Sequence, residues 1–395
     1  MSVKKPDSGR RRGPSTLLVG VGRDKTLTGP FVNPPVVHAS TVLFDSVEAM
    51  EELRQRYHYG RRGTPTSEAL ETAISEIEGA VGTVLCPSGL SAAATALLSC
   101  LSAGDEVLVV DCVYSPVRHF AATVLKRLGV APVFYAPAVA DRIEALFTEH
   151  TRAIYLESPG SLTFEMQDLA AIAAVARRHG ATVIFDNTWA TPIAFRALDH
   201  GADLSIIAGT KYIGGHSDLM LGTVAANEAA WPKLKATHGS MGLHVGPDDV
   251  YLALRGLRTL ALRLARHGAS ALAVATWLAA RPEVARVLYP PLPGDPGHGL
   301  WKRDMSGASG LFGVVLLGWS DQTAKRFIDG LELFGIGASW GGFESLAILS
   351  HPERARSATT WAAEGPVIRL HIGLEDPADL IADLEASFHK VAQSG

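Results

Sequence analysis

The sequence predicts an α/β chain: a largely parallel sheet with helices on both faces, then a smaller α+β domain, with a basic tail in front. Three observations predict it. Between about Thr64 and Ala225, short apolar runs with few polar residues alternate with helical segments. After about Val250 a long helical stretch is followed by further strands and a final helix. With 395 residues, 47% hydrophobic and 19% charged, the chain can bury a large core and form more than one domain.

The elements can be justified in order. "KKPDSGRRRGPST" is basic and reads as a disordered, solvated tail; the "LLVGV" after it is too short for a signal-peptide core. "TPTSEALETAISEIEGA" offers Thr64 as a helix cap and Pro65 at the first helical position, with apolar residues at helical spacing. "SAAATALLSCL" reads as a buried helix, "DEVLVVD" as a strand, "SPVRHFAATVLKRLG" as an amphipathic helix, and "APVFYA" and "RAIYLESP" as strands. "LAAIAAVARRHG" is a helix with a basic last turn and Gly180 beyond it; "ATVIFDN" and "LSIIAG" are apolar strands. From Asp249 a long helical stretch follows, which Gly256 and Gly268 are placed to bend or interrupt. "GLFGVVLLGW" and "PVIRLHIGLED" read as strands, and "DPADLIADLEASFHKVAQ" as a surface helix.

Composition excludes several function classes. A net charge of −4 gives no global basic field, so no nucleic-acid partner is expected. No apolar run is long enough to span a bilayer. Cys86, Cys100 and Cys112 form neither a disulfide framework nor a CxxC pair, and a reducing cytoplasm is the simplest reading. His216, His238 and His244 lack metal-ligand spacing, so no metal is expected. "GVGRDK" carries only the first two glycines of a dinucleotide fingerprint.

In open parallel sheets ligands sit beyond the carboxyl ends of the strands, and four features fall there. Ser88-Gly89-Leu90-Ser91 follows "GTVLC" and opens a helix, where free N–H groups make an anion site; alone it also fits an ordinary capped helix. Tyr114 follows "DEVLVVD" and can stack on a planar ligand or simply pack. Asp186 ends an apolar strand, where a buried carboxylate needs a partner or caps the next segment. Lys211 leaves the next strand among Gly209, Gly214 and Gly215. Together they suit pyridoxal 5'-phosphate: N–H donors for the phosphate, a plate for the ring, an acid for its nitrogen and an amine for its aldehyde.

"YGRRGTPT", "PSGLSAA", "FDNTWATP", "TKYIGGHSD", "SWGGFES" and "IRLHIGLED" together resemble the Cys/Met-metabolism family of pyridoxal-phosphate enzymes, over nearly everything after the tail. The resemblance implies the type I PLP-transferase fold, with a mostly parallel seven-stranded sheet. It divides the chain into a tail and arm over 1–62, a cofactor domain over 63–255 and a C-terminal domain over 256–395. It implies Lys211 as the Schiff-base lysine and Asp186 as partner of the pyridine nitrogen. Tyr114 is implied as the stacking ring. Ser88, Gly89, Leu90 and Thr210 are implied as phosphate contacts. Tyr59 and Arg61 match the pair that reaches a neighbouring subunit's cofactor, which implies a homodimer with shared sites, commonly paired into a tetramer. Arg369 matches the clamp on the substrate α-carboxylate, with Ser339 and Trp340 lining the substrate side. Lys211 would act as base, with Tyr114 or Tyr59 assisting at the amine.

"SWGG" and "LHIGLED" are most similar to the family's bacterial β-lyases. They imply α,β-elimination of a sulfur-containing amino acid, L-cystathionine, in methionine synthesis. Cysteine or cysteine-conjugate β-elimination, γ-elimination and racemisation use the same main residues. Two departures stand out: Ala208 replaces a common phosphate-site serine, and Ala338 stands where those β-lyases carry tyrosine.

Overall fold

The computed structural model describes residues 13–393, so most of the expected basic tail lies outside the described residues. β1 (Gly82–Cys86), β2 (Glu106–Val110), β3 (Ala131–Tyr135), β4 (Thr151–Glu157), β5 (Thr182–Asp186), β6 (Leu204–Ile207) and β7 (Gly222–Ala226) form one sheet, in the order β1-β7-β6-β5-β4-β2-β3. β2 to β6 pair in parallel. β7 runs against both of its neighbours, so β1 points the same way as β6. The carboxyl ends of β1, β2, β4, β5 and β6 therefore share one edge, which is where the candidate residues fall.

Local chemistry explains the helices around this sheet. Thr64 and Ser67 cap the helix Pro65–Glu78 reciprocally: the Ser67 N–H donates to Thr64 Oγ1 (3.2 Å) and the Thr64 N–H to Ser67 Oγ (2.9 Å). Such a cap is worth about 1 kcal/mol. Ala69, Leu70, Ala73, Ile74 and Ile77 bury one face of this helix. The helices Gly89–Cys100 and Leu169–Arg178 pack on the same sheet.

A second, antiparallel sheet has the order β10-β11-β9-β8, built from β8 (Val284–Leu288), β9 (Leu311–Leu316), β10 (Leu346–Ser350) and β11 (Val367–His371). The helices Leu260–Ala279 and Pro377–Gln393 pack together beside it.

The long helical stretch divides at neither glycine. One helix spans Pro247–Leu257, the next spans Leu260–Ala279, and Gly268 lies inside the second. The break follows from competition for the Gly256 carbonyl. It accepts from Arg263 Nη2 (2.7 Å) and from the Thr259 N–H (3.1 Å), in place of the helical donor four residues on.

Residues 13–62 carry short helical pieces. Leu18 is fully buried, and Arg258 Nη1 donates to the carbonyls of Leu18 and Val21, both at 2.7 Å. Farther along, Phe31, Leu43 and Val47 are exposed by 74%, 85% and 74%. No helix among the described residues is long and apolar enough to cross a membrane.

Candidate active site

β4 and β5 end side by side, with Glu157 in register with Asp186. Two carboxyls at the end of an apolar sheet are costly to ionise together. Burial, then the neighbouring Asp186, pushes Glu157 well above the usual carboxylate range. Burial also raises Asp186, opposed first by Thr188. Thr188 donates to Asp186 Oδ1 from its N–H (3.0 Å) and its hydroxyl (2.5 Å), and Tyr155 donates to Oδ2 (3.3 Å).

Thr188 also ties the acid to the lysine segment. Its Oγ1 accepts the Ala208 N–H at 2.9 Å, three residues before Lys211. Lys211 itself is half-buried. Burial, then Arg369, brings its amine down to about 8, with Asp186 acting in the opposite direction. The amine is therefore far closer to losing its proton at neutral pH than an exposed lysine.

Lys211 and Arg369 converge on one residue. Lys211 Nζ donates to Ser339 Oγ (2.5 Å), and Arg369 Nη2 donates to the Ser339 carbonyl (2.8 Å). Ser339 has φ +81°, a left-handed conformation costing a non-glycine residue about 1–3 kcal/mol unless its surroundings fix it. Trp340 follows, with its ring 5.4 Å from Lys211 Nζ and edge-on to Tyr212 at 5.5 Å. Burial lowers the Arg369 guanidinium to about 10, and its buried Nε has no hydrogen-bond partner among the described residues.

At the end of β1, Ser88 caps the helix Gly89–Cys100 by accepting the Ser91 N–H at 3.1 Å. The first N–H groups of a helix lack intrahelical acceptors, which leaves those of Gly89 and Leu90 for an anion. A Cβ on Gly89 would lie 2.6 Å from Ala208 Cβ, so this helix start and the lysine segment meet closely, with no room for a side chain at 89. The Ala208 departure thus lies directly against the anion site. Tyr114 stands at the end of β2, 47% exposed, and its backbone N–H donates to Glu157 Oε2 (2.7 Å). Burial, then Glu157, raises its hydroxyl above the ordinary tyrosine value.

The remaining candidates are tied to other parts of the chain. Thr210 Oγ1 accepts from the Leu221 N–H (3.0 Å) and donates to the Leu221 carbonyl (3.2 Å), tying the lysine segment to the start of β7. Arg61 Nη1 donates to the Gly239 carbonyl (3.1 Å), and its guanidinium lies 5.9 Å from the Tyr59 ring. Tyr59 is 45% exposed. Sequence reasoning missed Glu157 and Thr188, although both end or follow strands at the same edge as Asp186.

The group this set fits has an anionic end, a flat ring with a basic nitrogen, and an aldehyde. The glycine-lined helix start suits the anion, and Tyr114 suits the ring face. Asp186, raised by burial, gains from a cationic N–H, and the easily deprotonated Lys211 suits the aldehyde. These residues fit pyridoxal phosphate.

Known proteins resemble the chain over nearly its full length. The chain is 54% identical to a Rhizobium johnstonii protein over 95% of this chain and 96% of that one. It is 43% identical to the cystathionine β-lyase MetC of Escherichia coli K12, over 95% and 98% of the two chains. The fold matches the crystal structure of metB from Corynebacterium glutamicum with a TM-score of 0.89 and 31% identity, covering 96% of this chain and 98% of that one. A family model described as Cys/Met metabolism PLP-dependent enzyme matches residues 15–389. The chain belongs to that family of pyridoxal-phosphate-dependent enzymes.

Proposed function

We propose that the chain is a carbon–sulfur lyase that cleaves L-cystathionine by α,β-elimination to homocysteine, pyruvate and ammonia. What carries this reading is the convergence of Lys211 and Arg369 on Ser339, in a chain similar over nearly its full length to a cystathionine β-lyase. When bound, pyridoxal phosphate supplies an aldehyde for amines and a ring that accepts the electron pair left at Cα. Gly89 and Leu90 offer N–H groups to its phosphate, with Ser88 and Thr210 beside them. Asp186 holds the proton on the ring nitrogen, and Tyr114 covers the ring.

Arg369 takes the substrate α-carboxylate in its planar fork, using the Nε that is otherwise without a partner. This fixes Cα against Lys211. The Lys211 amine, brought down to about 8 by burial and Arg369, removes the Cα proton and returns a proton to the departing sulfur. The Cβ–S bond breaks, its electron pair leaves with the sulfur, and water later replaces the amine to give pyruvate and ammonia. Tyr114, or Tyr59 contributed by a second copy, assists at the incoming amine. Trp340 lines the substrate side, and the small Ala338 leaves room beside it.

Product analysis tests the reaction type. Purified protein given L-cystathionine is expected to release pyruvate and homocysteine in equal amounts. Release of 2-oxobutyrate and cysteine would instead establish γ-elimination, and loss of optical activity without cleavage would establish racemisation.

The exposed apolar residues of the arm, with Tyr59 exposed and Arg61 bonded to the Gly239 carbonyl, support a homodimer in which this pair completes a second copy's site. Two such dimers would form the tetramer. Mixing tests this directly. Lys211→Ala and Arg61→Ala proteins, each impaired alone, are expected to recover about a quarter of wild-type turnover when dissociated and reassembled together, because half the dimers are hybrids with one intact site. No recovery, with hybrids shown to form, would place Arg61 in its own chain's site.

A further inference from the structure

We propose that His371 is a positioning residue for this reaction: its Nε2 holds the backbone N–H of Gly341 and thereby sets where Ser339 meets Lys211 and Arg369. The inference rests on the β-lyase reading for its kinetics and on geometry for everything else.

The Gly341 N–H is aimed at His371 Nε2 across 3.1 Å. That nitrogen presents its lone pair there, which puts the imidazole proton on Nδ1, a buried nitrogen with no hydrogen-bond partner among the described residues. The Gly342 carbonyl, also 3.1 Å from Nε2, receives no proton from it in this tautomer. His371 is fully buried, and burial, then His267, keeps the ring neutral by lowering it to about 3.

Behind it, His267 Nδ1 lies 2.8 Å from the Ile372 carbonyl and donates there, with its ring 5.3 Å from that of His371. Tyr212, whose hydroxyl accepts the Gly310 N–H at 2.8 Å, lies 6.0 Å from the His371 ring. The imidazole is thus packed from behind and offers one lone pair forward.

What it holds is tightly coupled to the chemistry. Gly341 has φ +88°, and a Cβ there would lie 3.0 Å from Lys211 Cα. Residues 339–341 therefore rest directly on the backbone of the lysine. Arg369 and His371 are two residues apart on β11 and share a face of the strand. One strand thus holds the segment at both ends: Arg369 through the Ser339 carbonyl, His371 through the Gly341 N–H. Ser339, in its left-handed conformation, lies between these anchors and presents its hydroxyl to Lys211. A shift of the segment would disturb the proton carrier and the carboxylate clamp together.

The test uses the cofactor-loaded protein and three substitutions. Glutamine can carry an acceptor to the reach of Nε2. Asparagine reaches only as far as Nδ1, and leucine has no acceptor. Each variant is read by kcat, KM and the pH midpoint of the visible absorbance change of the loaded protein, which reports on Lys211 without turnover. His371→Gln is expected to keep kcat/KM within about threefold of wild type, with an unmoved midpoint. His371→Asn and His371→Leu are expected to lose about 10- to 100-fold in kcat/KM, through both kcat and KM, with the midpoint displaced.

Glutamine falling with asparagine and leucine would reduce His371 to packing, and leucine matching wild type would remove it altogether. If His371→Leu does not fold, the Gln and Asn pair decides. A wild-type protein that makes no pyruvate would remove the β-lyase reading, whereas the midpoint series would still judge His371.

Discussion

Lys211→Ala is expected to abolish turnover, by a factor on the order of 10³ or more, and to leave the fold intact. Two losses combine: the amine that attaches the cofactor and the base that moves the Cα proton. Among the described residues this side chain bonds Ser339 and meets the ring of Trp340. Its removal therefore takes little from the core, and burial already disfavours its charge. Borohydride treatment of wild type should fix the cofactor irreversibly to the peptide that contains residue 211, whereas the variant should release it on dialysis. Retention of more than a few per cent of wild-type turnover would move proton transfer to another group, with Tyr114 the first to examine.

The placing of Lys211 and Asp186 at one sheet edge was legible because strand–helix alternation carries positional information. Once Leu204–Ile207 is read as a buried parallel strand, Lys211 must leave its carboxyl end, and Thr182–Asp186 delivers Asp186 to the same edge. Arg369, Ser339 and Trp340 were legible only through family motifs, because no periodicity says which face of the second sheet meets the first. β7, with its "GTVAA", was not read from the residues: small side chains give a weak apolar signal, and its antiparallel course breaks the alternating pattern.

Glu157 escaped notice for a different reason. Within "RAIYLESP" it looks like a solvated strand end, and only the register of β4 with β5 places it beside Asp186. His371 looked like one more polar residue of a strand. Its partner lies thirty residues away in chain order, at Gly341, and local sequence carries no sign of that contact. The helix break at Arg258 and Thr259 was assigned to glycine because glycine lowers helix propensity, yet the Arg263 side chain decides it by taking the Gly256 carbonyl.

The second large effect is expected at Arg369, and it separates binding from attachment. Arg369→Ala should raise KM for L-cystathionine about 30-fold or more, because a buried charge-assisted pair costs roughly 2–5 kcal/mol to break. The cofactor should remain bound, since no phosphate or ring contact is assigned to this residue, while the pH midpoint of its visible absorbance should move with the loss of the Ser339 anchor and of the charge beside Lys211. The guanidinium is prepared for a carboxylate: burial lowers it to about 10, and Nε lacks a partner among the described residues while Nη2 is fixed on the Ser339 carbonyl. An anion that accepts from Nε restores what burial removes. Arg369→Lys sharpens the test, because lysine keeps the positive charge but cannot bond Ser339 and a carboxylate as one planar fork. If charge alone binds the substrate, lysine should recover most of the affinity. If the fork positions Cα against Lys211, lysine should recover KM only in part and leave kcat low. An alanine variant with wild-type KM would remove Arg369 from substrate binding and leave it as a support for the Ser339 segment.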